Sequence, residues 1–557
     1  MSRVTPEELS STIADALRAL ERRGAISIDG HLPTRVGVER PKNKDHGDYA
    51  TNVALQLGRR VGMPPRELAD LIATELKGLA GIAAVTIAGP GFINITVEAA
   101  AQGEVARAIV AAGTSYGDGD TIAGRRVNLE FVSANPTGPV TLASARWAAM
   151  GDSLARMMQA EGAAVTREYY FNDAGAQIDR FSASLLASAR GQPSPDDGYV
   201  GAYIGDLAAS ILETRPDVLT MADDDAQEVF RAMGVEVMFD EIKSRLHEFG
   251  VDFDVYFSER GLHESGAVDV AIERLRSGGL TYEAEGAVWL RSTDYGDDKD
   301  RVIIRSNGRP TYICADAGYY LDKRSRGNDL VMIVLGADHH GYVGRYRAIA
   351  AAFGDDPDQT LELVIGQMVN LLRDGEPLRM SKRAGTVLTI DDLVDAVGID
   401  AGRYALVRYS NDSTIDIDLD LWARQNSDSP VYYVQYAHAR LTSIERNAAQ
   451  LGFAPDLTAF DPALLGHERE GDLLRALADF PSVVAGAAEL REPHRVARYL
   501  EATASTFHRF YDECRVLPQG DEPVDEVHRA RLVLVSATRL VFERGLGLLG
   551  VSAPERM

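Results

Sequence analysis

The run Val127-Asn-Leu-Glu130-Phe-Val132 leads into Ser133-Ala-Asn135-Pro136-Thr-Gly138-Pro-Val-Thr141-Leu-Ala143-Ser144-Ala-Arg146-Trp, and this junction decides the fold. The first six residues have the character of a strand buried on both faces. A loop rich in proline and glycine follows, then a helical pattern from about Ala143 to Gly162. A second strand pattern stands at Val165-Thr-Arg-Glu-Tyr-Tyr-Phe171. Strand, loop, helix and strand in that order make the crossover unit of a doubly wound nucleotide-binding sheet. The start of its helix offers unpaired N–H groups and the positive end of a dipole to phosphates. Many α/β proteins share that feature, so it does not by itself name a ligand.

Downstream, further strands are expected at Val302-Ile-Ile-Arg, Leu330-Val-Met-Ile-Val-Leu and Leu363-Val-Ile-Gly. Between about 190 and 265 lies an insertion with acidic, proline-bearing stretches, read as mostly helical and connective, with no chemistry assigned to it. After about residue 398 the strand patterns stop. Helical periodicity runs through Tyr432 to Leu451, Leu473 to Arg491 and Arg529 to Leu549. Upstream, Thr5-Pro-Glu-Glu-Leu has the marks of a capped helix start. A cationic loop, Arg40-Pro-Lys42-Asn-Lys44-Asp-His46, then enters a helix near Asn52. Val85-Thr-Ile-Ala-Gly89-Pro-Gly91-Phe-Ile-Asn-Ile-Thr-Val reads as a glycine turn with strand. Taken alone, the cationic loop is a solvated surface turn. The expected division is an α+β module over 1–115, a Rossmann-like parallel α/β domain over 116–397 and an all-α domain over 398–557.

A chain of 557 residues is too long for one hydrophobic core, in keeping with several domains. Its two cysteines, Cys314 and Cys514, are far apart and lack metal-ligand spacing. That argues against a disulfide framework or a zinc site and fits a reducing cytosol. No apolar run approaches the ~18 residues of a membrane span, and no basic-then-apolar leader opens the chain, so a cytoplasmic location is expected. The formal net charge of -25 excludes a general polyanion binder. RNA contact, if any, is then local and selective.

Read together with Arg379-Met380-Ser381-Lys382-Arg-Ala-Gly-Thr386, the loop and helix resemble the two ATP-handling motifs of class I aminoacyl-tRNA synthetases. The likeness is specifically to the arginyl-tRNA synthetase family in its actinobacterial form. Glu130, Ser133, Asn135, Pro136, Gly138, Pro139, Arg146 and Gly151-Asp152 stand where that family has them. Tyr169-Tyr-Phe-Asn172-Asp173 and Gly336-Ala-Asp338-His339-His340-Gly341 resemble family segments lining the nucleotide pocket. The likeness extends to Asp416-Ile-Asp-Leu-Asp-Leu-Trp422, to Tyr433-Val-Gln-Tyr436-Ala-His438-Ala-Arg440 and to the terminal Pro-Glu555-Arg556-Met557. One departure stands out. The family's His-(Ile/Val)-Gly-(His/Gly) is here Thr141-Leu-Ala143-Ser144.

The resemblance implies an ATP-dependent arginine–tRNA ligase. Its catalytic set would be Lys382, Arg379, Ser381, Thr141 and Ser144. ATP, with Mg²⁺, would lie against Pro136, Gly138, Ala143, Asp338, His339, His340 and Met380. Arginine would meet Glu130, Ser133, Asn135, Asp173, Tyr312, Asp316 and Gln367, since a planar guanidinium calls for fixed carboxylates. The tRNA would meet Arg40, Lys42, Lys44 and Asn52 at one end and Tyr433, Tyr436, Arg440, Arg556 and Met557 at the other, although each tyrosine taken alone reads rather as helix core. A monomer with no protein-held structural metal is expected; His339-His340 lacks a third ligand at suitable spacing. Thr141 donates a neutral hydroxyl bond but carries no charge, and losing a preorganised donor costs on the order of 100–1,000-fold in rate. Two other readings therefore stand beside the ligase: a regulator that binds arginine and tRNA but activates poorly, and a biosynthetic enzyme that activates arginine or a related guanidino acid.

Overall fold

The structure is a computed structural model that describes residues 5–28, 30–41, 43, 46–173, 175–337, 341–378 and 388–557. At the N-terminus, α1 (Pro6–Arg22) opens on a capping box between Thr5 and Glu8, with Pro6 in its first turn. Then come β1 (Tyr49–Thr51), α2 (Val53–Val61), α3 (Pro65–Leu76) and the hairpin of β2 (Ile82–Ala88) with β3 (Phe92–Val97), before α4 (Ala99–Ala112). The three strands form one sheet in the order β1-β3-β2, and α1 to α3 pack on it around a separate apolar core.

The middle of the chain runs β4 (Arg126–Glu130), α5 (Leu142–Ala160), β5 (Ala164–Phe171), α6 (Ala176–Ala189), α7 (Ala202–Thr214), α8 (Asp223–Glu248), β6 (Val255–Ser258), α9 (Glu259–Glu264) and α10 (Ala267–Ser277). It continues with β7 (Thr281–Ala284), β8 (Ala287–Leu290), β9 (Arg301–Ile304), α11 (Tyr312–Ser325), β10 (Leu330–Gly336), α12 (Tyr342–Ala352), α13 (Pro357–Thr360) and β11 (Leu361–Gly366). The five-stranded parallel sheet has the order β11-β10-β4-β5-β6. Strand order reverses between β4 and β10, so a crevice opens beyond their carboxyl ends, at Glu130 and Gly336.

Three expectations change. Val302-Ile-Ile-Arg is not in the parallel sheet; β9 joins β7 and β8 in a small antiparallel one. The stretch read as connective supplies β6, the edge strand beside β5. Strands also continue past residue 398. After β12 (Val369–Arg373), β13 (Glu376–Pro377), α14 (Ile390–Val397) and α15 (Ile399–Val407), β14 (Ile415–Asp418) pairs in parallel with β12.

After α16 (Leu419–Trp422) the chain is helical: α17 (Pro430–Gln450), α18 (Glu468–Ala478), α19 (Phe480–Leu490), α20 (His494–Glu513) and α21 (Glu526–Leu548). The stretch from Leu473 to Arg491 is two helices, because Pro481 cannot continue α18 but fits the first turn of α19. One apolar core runs from the sheet through α5 into this bundle. Accordingly α5 is buried on nearly every side, from Leu142 to Ala160. Asp152 on it pairs with the fully buried Arg403 of α15 at 2.5 Å, and Arg403 also donates to the carbonyl of Leu549 just past α21. Among the described residues no helix is long and apolar enough to cross a membrane.

Candidate active site

The loop leaving β4 turns through two left-handed residues, Val132 (φ 69°) and Ser133 (φ 44°). For a β-branched residue that conformation is strained and needs neighbours to hold it. Ser133 Oγ accepts from the Tyr170 N–H at 3.1 Å, and Asn135 Oδ1 accepts from the Asn172 N–H at 3.0 Å. Asn135 Nδ2 donates to Gln177 at 2.6 Å, and the Tyr169 hydroxyl donates to the Ala134 carbonyl. Ser133 and Asn135 thus fasten this loop to the end of β5 and the loop after it. Pro136 is buried, and a Cβ on Gly138 would stand 3.4 Å from the Tyr203 hydroxyl.

Thr141 is the N-cap of α5. Its Oγ1 accepts from the Ser144 N–H at 3.2 Å and shares a 3.0 Å hydrogen bond with the Ser144 hydroxyl. Ala143, between them in the first turn, is half-buried. The Leu142 N–H donates to Leu388, and the Ile390 N–H donates to Val140, each at 2.9 Å. The start of α5 is therefore paired with the carboxyl flank of the second motif. Arg379, Met380, Ser381 and Lys382 themselves, and Asp338, His339 and His340, lie outside the described residues.

Arg146 is buried and among the described residues pairs with no carboxylate; burial pushes its guanidinium down to about 10. It donates to the carbonyls of Gln367, Met368, Ser410 and Ser413, and so fixes the loop that carries Gln367.

Facing the crevice, α11 presents Tyr312, Asp316, Tyr319 and Lys323 along one stripe at helical spacing. The buried Glu130 takes Lys323 Nζ at 2.5 Å, and that ammonium lies 4.3 Å from the centre of the Tyr319 ring. Below, Glu168 receives Tyr319 at 2.6 Å, Asn128 at 2.6 Å and both arms of Arg326 at 2.7 and 2.9 Å. Asp316 differs. Its carboxylate lies near Tyr346, and among the described residues no cation lies within 4 Å of it. Burial first, then the charges of Glu259 and Glu130, push it up to about 7, with Arg345 opposing.

Tyr312 is exposed, and its hydroxyl accepts from Arg345 at 3.3 Å. Asp173 is already held by Ser258 at 2.9 Å and Arg260 at 3.1 Å. Glu259 takes the Tyr170 hydroxyl at 2.5 Å. The stretch assigned no chemistry therefore places two charged side chains, Glu259 and Arg260, at this site. Among the described residues no group of three or more His, Cys, Asp or Glu side chains is placed to hold a metal ion.

The candidate RNA-facing residues fall in two places. Tyr432 and Tyr436 stack at 6.1 Å on α17, and Tyr433 packs at 5.0 Å against His508. Arg440 lies over Tyr511 at 4.0 Å, and both line a cleft of about 460 Å³ with Tyr436, Arg556 and Met557. At the other end, Arg40 pairs with Asp479 at 2.7 Å, which ties the N-terminal module to α19. Asn52 sits at the N-cap of α2 without a side-chain cap bond, and Lys42 and Lys44 lie outside the described residues.

Residues 106–418 match the family described as tRNA synthetases class I (R), catalytic domain. Residues 7–97 match the arginyl tRNA synthetase N terminal domain, and 434–557 the DALR anticodon binding domain. The chain belongs to the class I arginyl-tRNA synthetases.

A curated relative, the arginine–tRNA ligase of Kineococcus radiotolerans, is 60% identical over 555 residues, covering 100% of each chain. A crystal structure of an arginyl-tRNA synthetase from Campylobacter jejuni is 32% identical, with a TM-score of 0.75, over 83% of this chain and 100% of that one. The Thermus thermophilus arginyl-tRNA synthetase shares the fold at 22% identity, with a TM-score of 0.77 over 99% of both. The actinobacterial relative and the parallel-sheet and helical-domain architecture accord with the resemblance read from the motifs.

Within this synthetase, sequence reasoning missed Lys323, Glu259 and Arg345. For Lys323 a signal existed: it stands seven residues after Asp316, on the same helical stripe. Glu259 carried none, since it reaches the site only because β6 joins the sheet.

Proposed function

We propose that this synthetase is an arginine–tRNA ligase: arginine and ATP give arginyl-adenylate and pyrophosphate, and the arginyl group passes to the terminal ribose of an arginine tRNA. One observation carries the reading. Asp316 is a half-buried carboxylate beside Glu130 and Glu259, with no protein cation within 4 Å among the described residues, at the mouth of a nucleotide-type crevice. A guanidinium satisfies it; a neutral side chain does not.

In this reading Asp316 and Tyr312 grip the guanidinium, while Glu130, Asn135, Ser133, Asp173 and Gln367 shape the ammonium and carboxylate end. A carboxylate oxygen of arginine attacks the α-phosphorus of ATP, and pyrophosphate leaves. Positioning and charge stabilisation supply the rate. The first turn of α5, with Pro136, Gly138, Thr141, Ala143 and Ser144, faces the nucleotide, as do Asp338, His339, His340 and Met380. Lys382, Arg379 and Ser381 neutralise the leaving pyrophosphate, and Mg²⁺ arrives with ATP. The tRNA rests on the N-terminal module (1–115) through Arg40, Lys42, Lys44 and Asn52, and on the helical domain (398–557) through Tyr433, Tyr436, Arg440, Arg556 and Met557. The protein is a cytoplasmic monomer.

No observation favours the regulator or the guanidino-acid enzyme over the ligase. Both drew on the missing histidine, and Thr141 has a structural occupation of its own as a cap. Pyrophosphate exchange in the presence of arginine tRNA tests the reading: exchange is expected with arginine and not with lysine or citrulline. Equal exchange with lysine, or none with arginine, contradicts it.

A further inference from the structure

Lys323 is fully buried, and a buried ammonium is costly unless something requires it there. An apolar side chain of similar length would pack α11 against the sheet at least as well. Its neighbours show what it serves. Of the two carboxylates near it, Glu168 already has Arg326, Tyr319 and Asn128. Among the described residues Glu130 has Lys323 alone, through one oxygen, Oε2. Among the described residues no hydrogen bond reaches its other oxygen, Oε1. Glu130 ends β4 at the point where strand order reverses, and its charge is felt by Asp316, Tyr170 and Tyr346 around the crevice.

We propose that Lys323 is a positioning residue for the amino-acid substrate. Its ammonium holds Glu130 by one oxygen, stacked over Tyr319, so that the second oxygen is fixed toward the substrate's α-ammonium. The same stripe of α11 then serves both ends of the substrate: Tyr312 and Asp316 take the guanidinium directly, and Lys323 acts about two turns further on, through Glu130. The spacing between them is set by one rigid helix, which favours a substrate of one length. This inference rests on the arginine–tRNA ligase reading.

The test is arginine KM, ATP KM and kcat for Lys323→Met, with direct binding of labelled arginine and thermal unfolding measured on the same preparations. Arginine KM is expected to rise on the order of 10–100-fold, as when a supporting partner of a binding group is lost. ATP KM should stay within a factor of about two and kcat within about three. Should K323M not fold, Lys323→Gln, which keeps a donor but no charge, carries the same expectation, and Lys323→Arg should recover much of the affinity. A folded K323M or K323Q whose arginine KM is unmoved overturns the proposal. So does a parallel loss of arginine KM, ATP KM and kcat, which marks a merely structural ion pair. Wild-type protein that binds no arginine overturns the ligase reading itself, and the proposal with it.

Discussion

Thr141 occupies the position where the family writes a histidine, and its side chain closes the first turn of α5. Threonine is a good N-cap; its loss typically costs about 1 kcal/mol. Thr141→Ala is therefore expected to lower stability by about that amount in urea unfolding, and Thr141→Ser to leave it nearly unchanged. Histidine can do the same work in this protein: His467 caps α18 through Nδ1, accepting from the Arg469 N–H at 3.2 Å. The motif's departure was legible in the sequence, but its consequence was not, because a cap is defined by where the helix starts in space. The place of Asp316 in a segment resembling the family's was legible in the sequence. Its environment was not: Glu130 and Glu259 come from elsewhere in the chain. A raised carboxyl is protonated in the empty site below about 7, and a guanidinium needs it ionised. Arginine affinity should thus climb as pH rises through about 7 and flatten above it, read from arginine KM between pH 6 and 9. In Asp316→Asn the affinity should be low and that climb should vanish.

At the scale of elements, α5 and the sheet are fitted by two glycines. Gly151 on α5 leaves room for Phe131, and Gly366 at the end of β11 lies under Trp147; a Cβ there would come within 1.9 Å of the indole. Gly366→Ala must push α5 outward, and with it the loop from Ser133 to Thr141. Overpacking of this kind costs about 1–3 kcal/mol or more, to be measured by denaturant unfolding. Gly366→Ala with Trp147→Leu should recover part of the loss. The central crossover from β4 to β5 was legible because buried parallel strands and a long helix have distinct patterns. Where the sequence misled, the elements were short: β9 and β14 have four residues each, and β6 four more inside a helical region. Pairing partners, which local pattern does not encode, decide the sheet such strands join.

At the scale of the molecule, the Rossmann-like domain and the helical bundle share one core, while the N-terminal module has its own. The seam between the first two is pinned by Asp152 and Arg403, neither more than 3% exposed at the side chain. Arg156 and Arg167 also reach Asp152, so losing Arg403 leaves that carboxylate partly paired and costs less than the about 3–5 kcal/mol of a stranded buried charge. Arg403→Met is expected to lower the main calorimetric transition accordingly, and Arg403→Met with Asp152→Asn to lower it less. The N-terminal module joins the bundle through Arg40–Asp479 and Arg475–Asp48, the latter at 2.8 Å. Burial raises Asp479 to about 6 in spite of Arg40 and Arg475. The three-part organisation was legible from composition and periodicity. These ion pairs were not, because their partners are hundreds of residues apart; Arg40, expected as an RNA contact, also pairs with Asp479.

The ligase reading is tested most directly by charging of arginine tRNA with labelled arginine and ATP, using the native chain with Thr141 in place. The expected result is sustained charging that requires arginine, ATP and tRNA together. Native protein that binds arginine and tRNA yet forms no arginyl-tRNA, while Thr141→His with Ala143→Gly does, would contradict it.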